Sequence, residues 1–267
     1  MKLNKETLKD KLVFLGTAGA RYSAFGFLRQ AGGIYFGFEN SFTHLDPGPG
    51  AFVHSHRKGI EPYWTEVVLL SHRHLDHCAD ANHILESMTL GGKSKRGTLL
   101  CPEDAISQDP VVLEFVRKNV KETLIIKEGA EFNLGSFSVR FPVKNVHGVE
   151  TYGALFSYKG LTLSYTSDTK FFEKLIEAYK GSDLLIVNTT LFKKNPLIDH
   201  LSAEEAKVII GEVKPKLALL THFGRGMLSA KPWEVALSIE KLTGVKTIAA
   251  YDNMVLDLNT LEVVKQR

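Results

Sequence analysis

Cysteine is scarce. Cys78 and Cys101 are the only two in 267 residues, too few to staple a small secreted fold and better suited to a reducing compartment. No apolar run approaches the roughly 20 residues of a membrane span. Met1 to Lys11 alternates charged and apolar residues without the apolar centre of a signal peptide. These absences predict a cytoplasmic protein with no membrane partner. Charge of one sign is lacking as well: 33 basic against 30 acidic side chains leave a net +3, which neither requires nor forbids a nucleic-acid partner. No low-complexity segment, long linker or shift of composition divides the chain, so a single domain over residues 1–267 is expected. There is no phosphate-cradling Gly-x-x-x-x-Gly-Lys-Ser/Thr and no Ser-His-Asp or Cys-His nucleophile pattern.

Short apolar runs rich in β-branched residues are present throughout, bounded by Gly, Pro and polar residues, and they read as strands. They are Leu12–Gly16, Gly33–Phe38, Val67–Leu70, Thr98–Cys101, Phe137–Phe141, Ala154–Tyr158, Leu161–Tyr165, Leu184–Val187, Lys216–Leu220 and Lys246–Ala250. Helical periodicity falls between them, over 76–88, 110–120, 170–180, 202–213 and 231–243. Ser202-Ala-Glu-Glu205 has the pattern of a capping box, and Pro232 suits a first helical turn. Several strands end on polar residues: Asp46, Ser71-His72, Ser167-Asp168, Asn188-Thr189 and Thr221-His222. Mixed strands and helices of this kind collect chemistry along one sheet edge.

Histidine is the residue in unusual supply. Four of the ten lie between His72 and His83. The segment Ser71-His72-Arg-His74-Leu-Asp76-His77 follows an apolar strand and precedes a helical stretch. Alternation along an extended segment sends His72 and His74 to one side, where both imidazoles can reach one cation. Asp76 and His77, just past the turn, can address a second. Imidazole with carboxylate suits Zn, Fe or Mn better than Ca or Mg. Two cations need more ligands than the cluster holds, and His147, Asp168 and His222 are the downstream candidates.

The order His72-x-His74-x-Asp76-His77, His147, Asp168, His222 resembles the metallo-β-lactamase superfamily, over most of the chain from Leu12 to Asp257. The resemblance implies an α/β fold, a four-layer αββα sandwich of two mixed sheets flanked by helices. It also implies two divalent metal ions, zinc foremost with manganese or iron as alternatives. By the same resemblance His72, His74 and His147 hold one metal, Asp76, His77 and His222 the other, and Asp168 bridges them. Asp46, in Leu45-Asp46-Pro-Gly-Pro-Gly, matches the family's early aspartate, which supports the ligands from behind. An aspartate at the bridging position argues against the antibiotic-hydrolysing members, which carry cysteine there.

Within the superfamily, His200-Leu-Ser-Ala-Glu-Glu-Ala206 and Leu220-Thr-His222-Phe-Gly-Arg225 are similar to segments of the ribonuclease Z and phosphodiesterase branch. That similarity implies a catalytic His200 that protonates the leaving oxygen, and Arg225 offers a fork of donors to a phosphate. The arm with which ribonuclease Z grips transfer RNA is not there: only twenty residues lie between His147 and Asp168. The β-CASP insertion between Asp168 and His222 is missing too.

The expected function is therefore a dinuclear phosphodiesterase using a metal-bridging hydroxide, with Asp76 orienting the nucleophile. Its expected substrate is a small molecule or short phosphodiester, nucleic acid is not favoured, and a homodimer stays open. The alternatives are a ribonuclease Z-like transfer-RNA 3′ endonuclease, a lactone or thioester hydrolase on the same site, and a non-catalytic metal-binding protein. His54-Ser-His56 lacks a following Asp-His and reads as an exposed strand or loop. Gly91–Gly97 reads as a solvated basic connector, without aromatics to stack a base.

Overall fold

The apolar runs pair into two mixed sheets. The computed structural model describes residues 2–265, and its backbone divides into two compact units. One comprises residues 1–16, 30–126 and 252–267, the other residues 17–29 and 127–251.

The first unit holds β1 (Lys11–Phe14), β2 (Ile34–Phe38), β3 (Ser41–Leu45), β4 (Val67–Leu69), β5 (Arg96–Cys101) and β6 (Val120–Ile125), with β14 (Val255–Asp257) and β15 (Glu262–Val263). The second holds β7 (Glu131–Leu134), β8 (Phe137–Arg140), β9 (Ala154–Tyr158), β10 (Leu161–Tyr165), β11 (Leu184–Asn188), β12 (Leu217–Thr221) and β13 (Thr247–Ala249). The strand orders are 15-14-1-2-3-4-5-6 and 13-12-11-10-9-8-7. Each sheet begins antiparallel and ends parallel: β3 to β6 run parallel in the first, β10 to β13 in the second. Parallel neighbours present their carboxyl ends on one edge, where ligands of open sheets collect.

Helices flank each sheet. In the first unit these are α2 (Ala51–Lys58), α3 (Leu75–Cys78), α4 (Ala81–Met88) and α5 (Glu114–Arg117). In the second they are α1 (Ala20–Phe25), α6 (Lys174–Tyr179), α7 (Ala203–Val213), α8 (Arg225–Ser229) and α9 (Pro232–Thr243). The apolar stripe of α7, at Ala206, Ile209, Ile210 and Val213, has the i, i+3, i+4, i+7 spacing of one helix face. It joins Val235, Ala236 and Ile239 of α9 and Leu185, Val187 and Leu220 of the sheet in one core. Ile84, Leu85 and Met88 of α4 do the same with Val68, Leu70 and Leu99. No helix among the described residues is long and apolar enough to cross a membrane.

The expected helix over 76–88 is two helices. Asp80 breaks it: its N–H donates to the Pro47 carbonyl at 3.0 Å and its carboxylate takes the Phe52 N–H at 2.9 Å. The stretch 110–120 shrinks to α5, because the Asn82 amide binds both the Val111 carbonyl and the Leu113 N–H. His54 and His56 lie on α2 and not on a strand or loop; Gly50 and Gly59, both left-handed, delimit that helix. Two residues apart on a helix, their rings diverge. The basic connector is a turn through Ser94 that runs into β5 at Arg96.

Candidate metal centre and its supporting residues

In the first unit, the donors are delivered by the ends of two parallel strands and by the short helix α3. Asp46 follows β3 with φ at 50°, a left-handed turn that is uncommon outside glycine and that swings its carboxylate back across the sheet edge. There the carboxylate accepts three hydrogen bonds: from the Ser71 N–H at 2.7 Å, the Ser71 hydroxyl at 2.7 Å and His77 Nδ1 at 2.8 Å. His72 follows directly after Ser71 and is fully buried. Its ring centre lies 4.8 Å from that of His74 and 4.1 Å from that of His77. His74 is the extended residue that opens α3, and α3 carries Asp76 and His77, with 3.9 Å between Asp76 Oδ2 and His77 Nε2. Gly48 is required beneath α3, since a Cβ there would run into the Asp76 carbonyl oxygen. Cys78 ends α3 but is no nucleophile: burial pushes its thiol up to about 12, and its Sγ donates to the Arg73 carbonyl at 3.3 Å.

In the second unit, β10, β11 and β12 are successive parallel neighbours, and their ends bring Asp168, Asn188, Thr190 and His222 together. Asn188 donates to Asp168 Oδ1 at 2.8 Å, and His222 Nδ1 lies 3.3 Å from the same oxygen. Thr190 Oγ1 is 2.9 Å from His222 Nδ1 and 3.3 Å from His200 Nδ1. His200 Nδ1 is also 3.7 Å from Asp168 Oδ2. The His147 ring centre is 5.3 Å from that of His200, which in turn is 5.8 Å from that of His222. His147 Nδ1 donates to the Asp199 carbonyl at 2.9 Å, and Lys170 pairs with the Asp199 carboxylate at 2.7 Å. The Asn145 amide ties the two loops, donating to the Thr166 and Asp168 carbonyls at 2.8 and 3.1 Å. Ser167 and His222 are left-handed, like Asp46. Gly19 packs so closely on His222 that a Cβ would overlap the His222 carbonyl and come within 2.6 Å of its Nδ1.

The histidines and aspartates at these strand ends and loops and on α3 include two groups of donors of the kind that holds metal ions. The tautomers fit a cation. His77 and His147 each give their Nδ1 proton to a carboxylate or a carbonyl, which leaves Nε2 as the metal-type nitrogen, the arrangement that outer partners impose on ligating imidazoles. Nitrogen and carboxylate donors together suit a divalent transition metal. Arg225, the candidate phosphate fork, is exposed at the first turn of α8. Thr190, Asn145 and Asp199 were not distinguishable beforehand, because a hydroxyl, an amide or a backbone carbonyl acting on a ligand has no spacing signature. Asn188 was visible only as a polar strand end.

A model of the beta-lactamase superfamily domain matches residues 43–223. The chain belongs to that family and has the metallo-β-lactamase fold of two mixed sheets with flanking helices. Membership and donor clusters together place it in the class of metal-dependent hydrolases. It is 29% identical over 251 residues to the uncharacterised protein MJ1374 of Methanocaldococcus jannaschii, covering 91% of this chain and 93% of that one. YhfI of Bacillus subtilis, described as a metallo-β-lactamase fold protein, superposes with a TM-score of 0.75 at 20% identity, over 92% of this chain and 98% of its own. A diphosphatase of the PhnP family superposes at 0.69 and 18% identity, over 92% and 96%.

Proposed function

We propose that this chain is a dinuclear metal-dependent phosphodiesterase. By the family resemblance, His72, His74 and His147 would hold one cation and Asp76, His77 and His222 the other, with Asp168 serving both. Two divalent cations so held would supply Lewis acidity toward phosphoryl oxygens and a water acidic enough to act as a nucleophile near neutral pH. Asp46 keeps the His77 ring in register from behind, and the Asp199 carbonyl does the same for His147. Asp76 accepts a hydrogen bond from the attacking water and orients it. His200 holds the proton for the leaving oxygen. Its Nδ1 edge is taken up by Thr190 and the Asp168 carboxylate, so Nε2 is the atom assigned to that transfer.

The observation that carries the reading is that His200 meets Asp168 directly and His222 through Thr190. An acid beside the ligands is what a poor alkoxide leaving group requires. The diphosphatase among the structural neighbours supports phosphorus chemistry.

The test is hydrolysis of bis(p-nitrophenyl) phosphate by the zinc- or manganese-loaded protein. Asp76→Ala is expected to lower the rate by a factor on the order of 100 or more. His200→Ala should have a small effect on this activated ester and a loss of about 100-fold or more on a dinucleotide, whose alkoxide must be protonated. Wild type no faster than Asp76→Ala with any metal would overturn the reading. Faster turnover of a lactone, a thioester or precursor transfer RNA would replace the substrate class.

A further inference from the structure

Two arginines of the second unit share a cleft that the metal ligands do not line. Among the described residues, Arg29 and Arg225 line a space of about 640 Å³ together with Gly26, Leu28, Leu228 and Ser229. Elsewhere Arg73 is paired with Asp109 and Arg96 with Glu66. Among the described residues neither Arg29 nor Arg225 has an acidic partner. Guanidinium groups stay charged at any usable pH, so the two present positive charge to an anion that enters the cleft.

Both are carried by segments anchored next to His222, at Phe223 and Gly224. On one side, Phe223 pairs with Ala18, its N–H donating to the Thr17 carbonyl at 2.8 Å and its carbonyl accepting from Gly19 at 3.1 Å. From there α1 leads to Arg29. On the other side, the Gly224 N–H is fixed to the Thr190 carbonyl at 3.1 Å, and Arg225 opens α8. Thr190 is the residue whose hydroxyl meets both His200 and His222. The cleft is therefore anchored beside the strand end that carries His222, and Thr190 links that end to the proposed acid His200.

We propose that Arg29 and Arg225 form a subsite for a second phosphate, a terminal phosphomonoester borne by the same molecule as the scissile diester. Two forks match a dianion, where a carboxylate would leave one unanswered. The volume exceeds that of an oxyanion, and Leu28 and Leu228 offer apolar wall to the organic part next to it. The inference deepens the phosphodiesterase reading and rests on it for the reaction, but not for the binding.

The experiment compares the adenosine dinucleotide with and without a 5′-phosphate as substrates of the metal-loaded protein, together with calorimetric binding of adenosine 5′-monophosphate. Wild type should prefer the phosphorylated dinucleotide by at least about tenfold in kcat/KM, the effect of one charge-assisted contact. In Arg29→Ala/Arg225→Ala that ratio should fall to about one and nucleotide binding should weaken about tenfold or more. Arg29→Lys, which keeps the charge and loses the fork, should fall between. Equal use of the two dinucleotides by wild type, or unchanged nucleotide binding in the double variant, overturns the subsite and leaves the phosphodiesterase reading intact. If neither dinucleotide is cut but nucleotide binding still depends on the two arginines, the subsite stands and the reaction assignment falls.

Discussion

Asp46 does more for the proposed ligands His72 and His77 than its distance along the chain suggests. One carboxylate accepts from Ser71 twice and from His77 once, so it sets both the turn that leads into His72 and the tautomer of His77. Asp46→Asn keeps the size of the side chain, and asparagine tolerates the left-handed φ of 50°. Its amide, however, presents two protons to partners that are themselves donors. Metal affinity should drop by about 10- to 100-fold with little change of fold, as read by chelator competition; an unaltered affinity would dissociate Asp46 from the metal. At this scale the histidines and aspartates were legible, since few side chains can coordinate a metal and their order is distinctive. Thr190, Asn145 and the Asp199 carbonyl were not. Their roles arise from which loop lies beside which, and residues of their kind do many other things.

Single elements were legible where their ends carry a local chemical signature. The Ser202 side chain accepts from the Glu205 N–H at 3.4 Å, and Glu205 Oε2 accepts from the Ser202 N–H at 3.0 Å and its hydroxyl at 2.8 Å. Both halves of the capping box expected from the sequence are thus present. Burial alone would raise the Glu205 carboxyl, but bonds from Ser202 and Lys194 outweigh it and hold it below the ordinary range. Ser202→Ala should cost about 1 kcal/mol, measured by denaturant unfolding at pH 7, and should loosen the turn that carries His200. A loss below a few tenths would mean that packing alone anchors α7. The elements missed are those with distant determinants. β3 is Ser-Phe-Thr-His-Leu, whose polar members hide a strand that is buried along nearly its whole length. β6 exposes Lys121 and Glu122 at a sheet edge and reads as loop. Asp80, which splits the helix expected over 76–88, looks like any acidic residue of a helix until Pro47 and Phe52 lie next to it.

At the scale of the whole molecule, stability should depend on pH through a histidine that is not among the proposed ligands. His44 lies on β3 with no exposed surface, its Nε2 2.9 Å from the Gly32 carbonyl and its ring edge-on to Tyr35. Burial pushes it down to about 4, against a smaller opposing pull from the Gly32 carbonyl. The unfolded imidazole titrates near 6.5, so between those values the unfolded chain binds the extra proton. The contribution is therefore complete above pH 6.5 and is lost as pH falls toward 4. It amounts to about 3 kcal/mol in all, of which about 2 kcal/mol is gone by pH 5. His44→Gln should remove that much of the difference in unfolding free energy between pH 7.5 and pH 5; an identical acid loss in wild type and variant would exclude His44 as its source. The apolar strand runs and the histidine motif were sufficient for strands and a metal-dependent chemistry, because period-two hydrophobicity and coordination chemistry are properties of neighbouring residues, whereas the fold class came only from the family resemblance that the order of histidines and aspartates carries. Strand order is different. An apolar run does not encode its neighbour, and it is the parallel pairing of β10, β11 and β12 that assembles Asp168, Thr190 and His222 from positions 22 to 54 residues apart. Long-range packing likewise draws Arg29 and Arg225 into one cleft, since nothing between them in the chain marks them as partners.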